Sequence, residues 1–462
     1  MEDNNKFYDM TWTDITGVPF PYDWYKNSFD LHHYTMSAQA LDFYQQSLET
    51  QYLPPNKLKE YINKRFVKLV RHAYKTSAYY KALYDEHKID VNKIDIDLIE
   101  KLPFAEKKGL TVHSQVDQDS KVFSDDKLLV RTSGSTGYRM QFYCDKEQLN
   151  WRWALWMRLF HWGGYEWGNK EMRFWYKFAS TVKKPKTEAI DAFLSNRNFL
   201  PFDTLDNNEL KDFCNKIVEK DPFLITGYWE AIESILKYAY ENNVCLNIKS
   251  ILPSTQVVPP SARNLFSKHF NLDILDKYAS AEHSGIAHQC EVGDLYHVQS
   301  ENVFVEVVAN NKSVDNGLGE VVVTDLNNLT TPLIRYRVGD VVEASDRVCG
   351  CNRTLPTIAK PHGRLINTIK VESKLTTELE LADLEFNLRM QRIADRIEIV
   401  QNSEDDVVVF AGGVNDKKKL TKLVSDCLNY QVKDVQVKTD INHFRGKRHR
   451  GKTHLTNIFN NS

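Results

Sequence analysis

No apolar run in this 462-residue chain approaches the roughly 20 residues that a bilayer-spanning helix needs, so no membrane crossing is expected. The opening Met1-Glu2-Asp3-Asn4-Asn5 has neither the basic nor the apolar region of a secretion signal, and no such leader is expected. An excess of one charge is also missing. Lys and Arg number 60 against 62 Asp and Glu, which leaves no global field to favour nucleic acid or a membrane surface. Seven cysteines are an odd number and too sparse for a disulfide framework at this length, so the expected setting is reducing and cytoplasmic. Internal repeats and low-complexity segments are absent. What remains is an ordinary globular balance, 42% apolar and 26% charged, in a chain long enough for two or more domains.

Apolar residues at helical spacing run from about Leu53 to Leu83 and stop before Leu102-Pro103-Phe104; a polar stretch follows to Asp126. Lys127 to Val130 reads as a strand entering Arg131-Thr132-Ser133-Gly134-Ser135-Thr136-Gly137, and Gln141 to Tyr143 as a strand leaving it, so this loop reads as a hairpin tip. Glu147 to Trp162 is helical and holds Trp151, Trp153, Trp156 and Trp162, for which core packing is the plainer reading. Pro222 to Trp229 reads as a buried strand and turn before a helix reaching Tyr240. Strand and helix signals then alternate through Ile248 to Leu252, Ser261 to His269 and Ile274 to Lys277, which predicts an α/β fold with a largely parallel sheet. Val303 to Val308 and Gly319 to Thr324 open a strand-rich stretch. After Gly363-Arg364, two helix signals (Leu379 to Arg389, Lys417 to Leu428) and short strands predict a small α+β domain. The expected domains are therefore 1–365 and 366–462.

Four short segments carry chemistry. In the loop 132–137, backbone N–H groups freed by glycine and flanked by hydroxyls suit triphosphate oxygens, although alone it reads as readily as a turn. Tyr278-Ala279-Ser280-Ala281-Glu282 lies just after the expected strand 274–277, where α/β sheets gather ligands; its aromatic suits a base and its carboxylate Mg²⁺. Asp340 follows Gly339 at a strand end and can accept from ribose hydroxyls, and Arg364 can bring a guanidinium to a phosphate or ribose. Each of these, taken singly, is equally a solvated turn charge.

Taken in order, these segments resemble the adenylate-forming superfamily of acyl-CoA synthetases, adenylation domains and luciferases. The nearest likeness is to its phenylacetate–CoA ligase-like branch, which includes capsular polysaccharide biosynthesis proteins. His72-Ala73-Tyr74, Tyr79-Tyr80, Leu102-Pro103-Phe104 and Thr226-Gly227-Tyr228 add to the likeness. The resemblance implies a large N-terminal adenylate-forming domain with a small mobile C-terminal one. It implies that Ser133, Gly134, Ser135, Thr136 and Gly137 bind the β- and γ-phosphates of ATP. Tyr278 would lie on the adenine, with Ser280 beside it in the nucleotide site. Glu282 would bind Mg²⁺, Asp340 the ribose, and Arg364 the ribose or α-phosphate. A lysine of the small domain would neutralise charge during adenylation; Lys452 matches best and Lys447 second. Three departures stand out: Tyr138-Arg139 after the loop, Ala281 in place of a hydroxyl, and Ile366-Asn367 in place of an acidic pair.

Cys290, His297, Cys349 and Cys351 together can supply a closed tetrahedral S₃N set for structural zinc, as some members of that branch do, with His283 and His288 in reserve; a chance cluster is the other reading. Gly446-Lys447-Arg448-His449-Arg450-Gly451-Lys452-Thr453 matches the Walker A pattern. Only nine residues follow Thr453, however, and the four intervening side chains are all basic, so a basic tail is the better reading. The expected function is ATP-dependent activation of a carboxylic acid to acyl-AMP with release of pyrophosphate. An acceptor would then take the acyl group: CoA, a carrier protein or an amino sugar. Trp175, Tyr228, Trp229, Gln256 and His283 are candidate walls of the acid pocket. A non-catalytic relative and a P-loop NTPase are the rivals.

Overall fold

In a computed structural model, the described residues are 37–110, 123–124, 127–131, 140–176, 196–437 and 455–457, apart from 108, 167, 294, 372–373, 404–405 and 433–434. The loop 132–137 and Lys447 and Lys452 lie outside them. Two compact units form, each from segments distant in sequence: one from residues 165–276 and 361–462, the other from the described residues of 37–164 and 277–360. No helix among the described residues is long and apolar enough to cross a membrane.

In the second unit, α1 (Ala38–Thr50), α2 (Pro55–Thr76) and α3 (Ala78–Glu86) precede β1 (Phe123–Ser124), β2 (Lys127–Arg131) and β3 (Gln141–Asp145). Ser77 ends the expected long helix and caps α3 through its side chain. Leu58, Ile62, Phe66, Leu69, Val70 and Ala73, three or four apart on α2, form one buried stripe. Strands β2 and β3 pair antiparallel, with Arg131 opposite Gln141, which is the hairpin arrangement expected of the strands flanking the glycine-hydroxyl loop.

In α4 (Lys146–Trp162), Trp151 is buried and stacks on Phe43 at 4.3 Å, and Trp162 is buried, whereas Trp153 is exposed. Arg158 on this helix is fully buried, and its guanidinium meets Glu301 at 2.6 and 2.9 Å and Gln299 at 2.7 Å. Such a charge is tolerable inside because both terminal nitrogens are matched, by Glu301, Gln299 and the Ser47 carbonyl.

The same unit holds β9 (Lys277–Ser280), β10 (Ser284–Gln289), β11 (Tyr296–Val298), β12 (Val303–Ala309), β13 (Lys312–Ser313), β14 (Gly317–Asp325), β15 (Tyr336–Ala344) and the first half of β16 (Thr357–Arg364), whose residues from Pro361 onward are counted with the first unit. They form one eight-stranded sheet in the order β13-β12-β14-β15-β16-β11-β10-β9. The pairs β9–β10, β10–β11, β11–β16, β12–β13, β12–β14 and β14–β15 are all antiparallel. The larger sheet is thus not the parallel one expected from the alternation signal.

The parallel sheet lies in the first unit: β4 (Glu171–Tyr176), β5 (Arg197–Phe202), β6 (Leu224–Tyr228), β7 (Ser250–Ser254) and β8 (Asp273–Ile274), ordered β5-β4-β6-β7-β8. Helices α5 (Asn207–Lys220), α6 (Trp229–Glu241) and α7 (Pro260–Phe270) connect the strands. Phe213, Ile217, Ile232, Ile235 and Phe266 from these helices share a core with Phe174, Ile225 and Ile251. Gly227 turns β6 into α6 at φ +139, and a Cβ there would lie 2.1 Å from the carbonyl oxygen of Phe174. Only glycine fits that turn.

The unit continues with β17 (Ile369–Val371), β18 (Lys374–Thr376), α8 (Glu378–Met390), β19 (Arg396–Ser403), β20 (Asp406–Gly412), α9 (Lys417–Leu428), β21 (Val435–Val437) and β22 (Leu455–Asn457). Thr377 and Glu380 close a capping box on α8. One side of α8 gives Leu381 and Leu388 to the core of this small α+β layer, and another sends Phe386 to Phe266 of α7 at 5.6 Å. Asp383 accepts from the Ser261 backbone N–H at 2.7 Å and hydroxyl at 2.9 Å, and Arg389 pairs with Glu233.

Candidate functional site

Lys277 to Gln289 form the pivot of the second unit. The first half of this stretch was expected just beyond a strand; instead Tyr278 and Ser280 lie within β9, which pairs antiparallel with β10. The backbone leaves the parallel sheet after Ile274 and joins the antiparallel one at Lys277, so the strand signal there belonged to two strands. Glu282 sits in the turn between β9 and β10.

Tyr278 donates its phenol proton to Asp340 Oδ2 on β15 at 2.8 Å, and both residues are nearly buried. Tyr336, the first residue of β15, brings its hydroxyl within 3.3 Å of Glu282 Oε1. Lys107 Nζ is 3.8 Å from the same carboxylate oxygen, and Arg152 of α4 donates to the Glu282 carbonyl. The Ser280 hydroxyl accepts from the His283 N–H at 3.1 Å and meets its Nδ1 at 3.2 Å. Burial, and then the charge of Arg152, push the His283 imidazole down to about 3, so it is neutral. Of the residues singled out from sequence, Tyr278 and Asp340 are thus hydrogen-bonded to each other, while Ser280 and Glu282 lie at the turn that follows Tyr278. The Glu282 carboxylate is enough for Mg²⁺, a hard cation that takes few protein oxygens and completes its shell from phosphates and water.

Lys107, Tyr336 and Arg152 were not singled out by the sequence reading. Lys107 is hidden in the charged run Glu106-Lys107-Lys108, while Tyr336 belongs to the expected motif 332–340 but drew no role there.

Arg364 belongs to the other unit. Its backbone N–H donates to Glu378 Oε2 at 3.0 Å, and Asn367 bonds the same carboxylate. Gly363 takes φ +97 beside Glu378, where a Cβ would overlap the carboxylate. Among the candidate acid-pocket residues, Trp175 meets Tyr228 edge-on at 4.5 Å at the carboxyl ends of β4 and β6. Gln256 accepts from the Glu230 N–H at 2.7 Å. Trp229 instead turns into the core and donates to Glu233 at 2.8 Å. His283 lies in the second unit.

Cys290, His297, Cys349 and Cys351 converge so that their ligand atoms all lie within 4.8 Å of one another. Cys290 Sγ is 3.6 Å from Cys349 Sγ, and His297 Nε2 is 3.3 Å from Cys351 Sγ. A tetrahedral zinc with Zn–S of about 2.3 Å and Zn–N of about 2.0 Å would separate its ligands by nearly these distances, so the set fits the ion. Burial pushes the Cys290 thiol up to about 12 and raises Cys349. At Cys351 burial is outweighed by donors from Arg353, and its pKa falls. Burial and the Arg353 charge bring His297 down to about 4, leaving a neutral imidazole. Neighbouring groups hold these side chains in place: Arg353 pairs with Glu291 at 2.9 Å, and the Trp162 ring meets His297 edge-on at 5.6 Å. His288 is buried and is not among the four, and burial pulls its pKa well down.

The fold is that of the adenylate-forming acid ligases. Crystallised 2-hydroxyisobutyryl-CoA ligase with R3-HIB-AMP, in its postadenylation state, superposes with a TM-score of 0.67 at 15% identity, covering 86% of this chain and 93% of that one. The same ligase in an open conformation with 2-HIB-AMP and CoA gives 0.57 at 16% identity, covering 84% and 89%. In sequence, the chain is similar to protein CapK of Staphylococcus aureus, 24% identical over 380 residues, which are 79% of this chain and 80% of the relative. No family model matches the chain.

Proposed function

We propose that this protein activates a carboxylic acid as its acyl-AMP, using ATP, and then transfers the acyl group to an acceptor. The observation that carries the reading is that β15 bonds Tyr278 through Asp340 and approaches Glu282 through Tyr336, on a chain with the ligase fold. In the first step a carboxylate oxygen attacks the α-phosphorus in line. The bond to the β-phosphate oxygen breaks, and its electron pair leaves with pyrophosphate. No proton moves, so the protein's work is positioning and neutralisation of charge.

Tyr278 would pack on the adenine and Asp340 would accept from the ribose, with Ser280 beside them. Glu282 would hold Mg²⁺, which when bound draws charge from the phosphate oxygens. Residues 133–137 would bind the β- and γ-phosphates, Arg364 the ribose or α-phosphate, and Lys452, or else Lys447, the reacting carboxylate. In this reading the mobile small domain begins near residue 366, and Trp175, Tyr228 and Gln256 line the acid pocket. The Cys290, His297, Cys349 and Cys351 set would hold zinc as a structural ion without an open coordination position. The resemblance to the branch that includes capsular polysaccharide biosynthesis proteins favours an amine or hydroxyl acceptor in surface-polysaccharide synthesis, whereas the superposed ligase was crystallised with CoA. The work would take place in the cytoplasm. Ala281 and Asn367 favour a second reading, a non-catalytic member of the fold.

ATP–pyrophosphate exchange over pooled aryl, fatty and amino acids, with Glu282→Ala in parallel, tests the proposal. Exchange that depends on one pool and vanishes in the variant supports it and names the acid class. A protein that binds no ATP would instead be the non-catalytic relative.

A further inference from the structure

We propose that Lys107 is a polyphosphate-binding residue of the Glu282 site, contacting the oxygens of the β- and γ-phosphates and of the pyrophosphate they become. The inference rests on the nucleotide reading above and adds a residue to it.

A lysine in a charged loop ordinarily spreads its ammonium into water. Lys107 does not: its side chain is only 20% exposed and its Nζ lies 3.8 Å from Glu282 Oε1. That placement follows from the anchoring of the backbone on both sides. Ala105 bridges Tyr336 in parallel register: its N–H donates to the Arg335 carbonyl at 2.9 Å, and its carbonyl accepts from the Arg337 N–H at 3.2 Å. The Phe104 ring lies under the guanidinium groups of Arg335 and Arg337, at 4.2 and 4.5 Å. On the far side the Leu110 N–H bonds the Glu106 carbonyl at 3.0 Å, and Leu110 is buried. The Glu106 N–H reaches the Tyr79 hydroxyl at 3.4 Å. The bridge therefore links Lys107 to the strand whose Tyr336 hydroxyl approaches the same Glu282 oxygen.

At 3.8 Å the ammonium makes a charge contact with Glu282, not a hydrogen bond. Such a pair answers a specific problem. A lone carboxylate repels an incoming triphosphate before any cation is shared, and a compact ammonium beside it offsets that repulsion. Once the phosphates share the cation with Glu282, their oxygens lie within a lysine side chain's reach of the same spot, and ammonium is a common phosphate ligand as a point charge. The identity of the ligand follows from charge: a polyphosphate, not the monophosphate of the product acyl-AMP.

Isothermal titration with MgATP, magnesium pyrophosphate and AMP tests this on the full chain, using wild type, Lys107→Met, Lys107→Arg and Glu282→Gln. Melting temperatures are recorded for each variant. Lys107→Met is expected to weaken MgATP and magnesium pyrophosphate roughly 10- to 100-fold, the loss of one charge-assisted contact, and to leave AMP unchanged. Lys107→Arg should restore most of that affinity. If Glu282→Gln weakens MgATP but Lys107→Met leaves it unchanged or tighter, Lys107 only balances Glu282 and the inference fails while the nucleotide reading stands. If neither variant alters MgATP binding, the nucleotide reading itself fails and takes the inference with it.

Discussion

Two polar clusters in the same unit meet opposite chemical demands. Around the Glu282 carboxylate the partners are one cation and one neutral hydroxyl, at charge-contact and loose hydrogen-bond distances: an ammonium at 3.8 Å and a phenol at 3.3 Å. Around Cys290 the four ligand atoms crowd within 4.8 Å, and burial pushes that thiol far from ionisation. The first arrangement would suit a hard, highly charged ligand that comes and goes, and the second a single tetrahedral ion held without an open position. Both depend on strand register, since β9 pairs with β10 and β10 with β11.

The comparison breaks most visibly at the sulfur cluster. Purified protein should contain one zinc per chain by plasma emission analysis. Cys349→Ser should lower unfolding stability on the order of 4 kcal/mol or more in urea titrations, while pyrophosphate exchange per folded molecule persists. A zinc-free protein of unchanged stability would make the cluster four packed side chains and no more. Glu282→Ala should do the reverse, cutting exchange by roughly 100- to 1000-fold with little change in melting temperature. Asp325, the last residue of β14, separates burial from ligand chemistry. Burial raises it from 3.8 to about 6, against the lowering pull of Arg152 and of the Asn327 and Asn328 N–H groups. Because its folded value is raised, its contribution is full below the unfolded pKa and is lost as pH climbs through about 6. Asp325→Asn should therefore flatten the stability profile between pH 4 and 7, by about 2 kcal/mol in urea midpoints converted to free energy. The smallest effect is expected from Tyr278→Phe, which removes the 2.8 Å bond to Asp340; about 1 kcal/mol, or roughly fivefold in the KM for ATP, is the expected loss.

Much of the fold was written locally. The stripe on α2 and the buried strand before Gly227 are short-range signals and were expected from the sequence, whereas the break at Ser77 between α2 and α3 was not. The Trp-rich helix was also legible, although the solvent exposure of Trp153 was not. The switch at Asp276 could not be seen, because Ile274 and Lys277 look like one strand until their partners are known: Ile274 pairs with Ile251, Lys277 with His288. The clustering of Cys290, His297, Cys349 and Cys351 was legible because cysteine is scarce and its chemistry narrow. Lys107 was hidden for the opposite reason, being one lysine among many. Its role depends on a bridge between residues 105 and 336, which no local pattern records.

The interleaving of the two units imposes an order on synthesis. Residues 165–276 hold a whole parallel sheet and its three helices, so that part of the core can close as soon as it leaves the ribosome. The helical segment before it has no such opportunity. Arg158 must wait 143 residues for Glu301, and Thr50 must wait 251 for the same carboxylate. Until then a guanidinium destined for complete burial is solvated, and the apolar stripe of α2 is uncovered. The nascent chain therefore carries a parallel-sheet core that lacks only the later packing of Phe386, between flanks that must wait for residues 277–360.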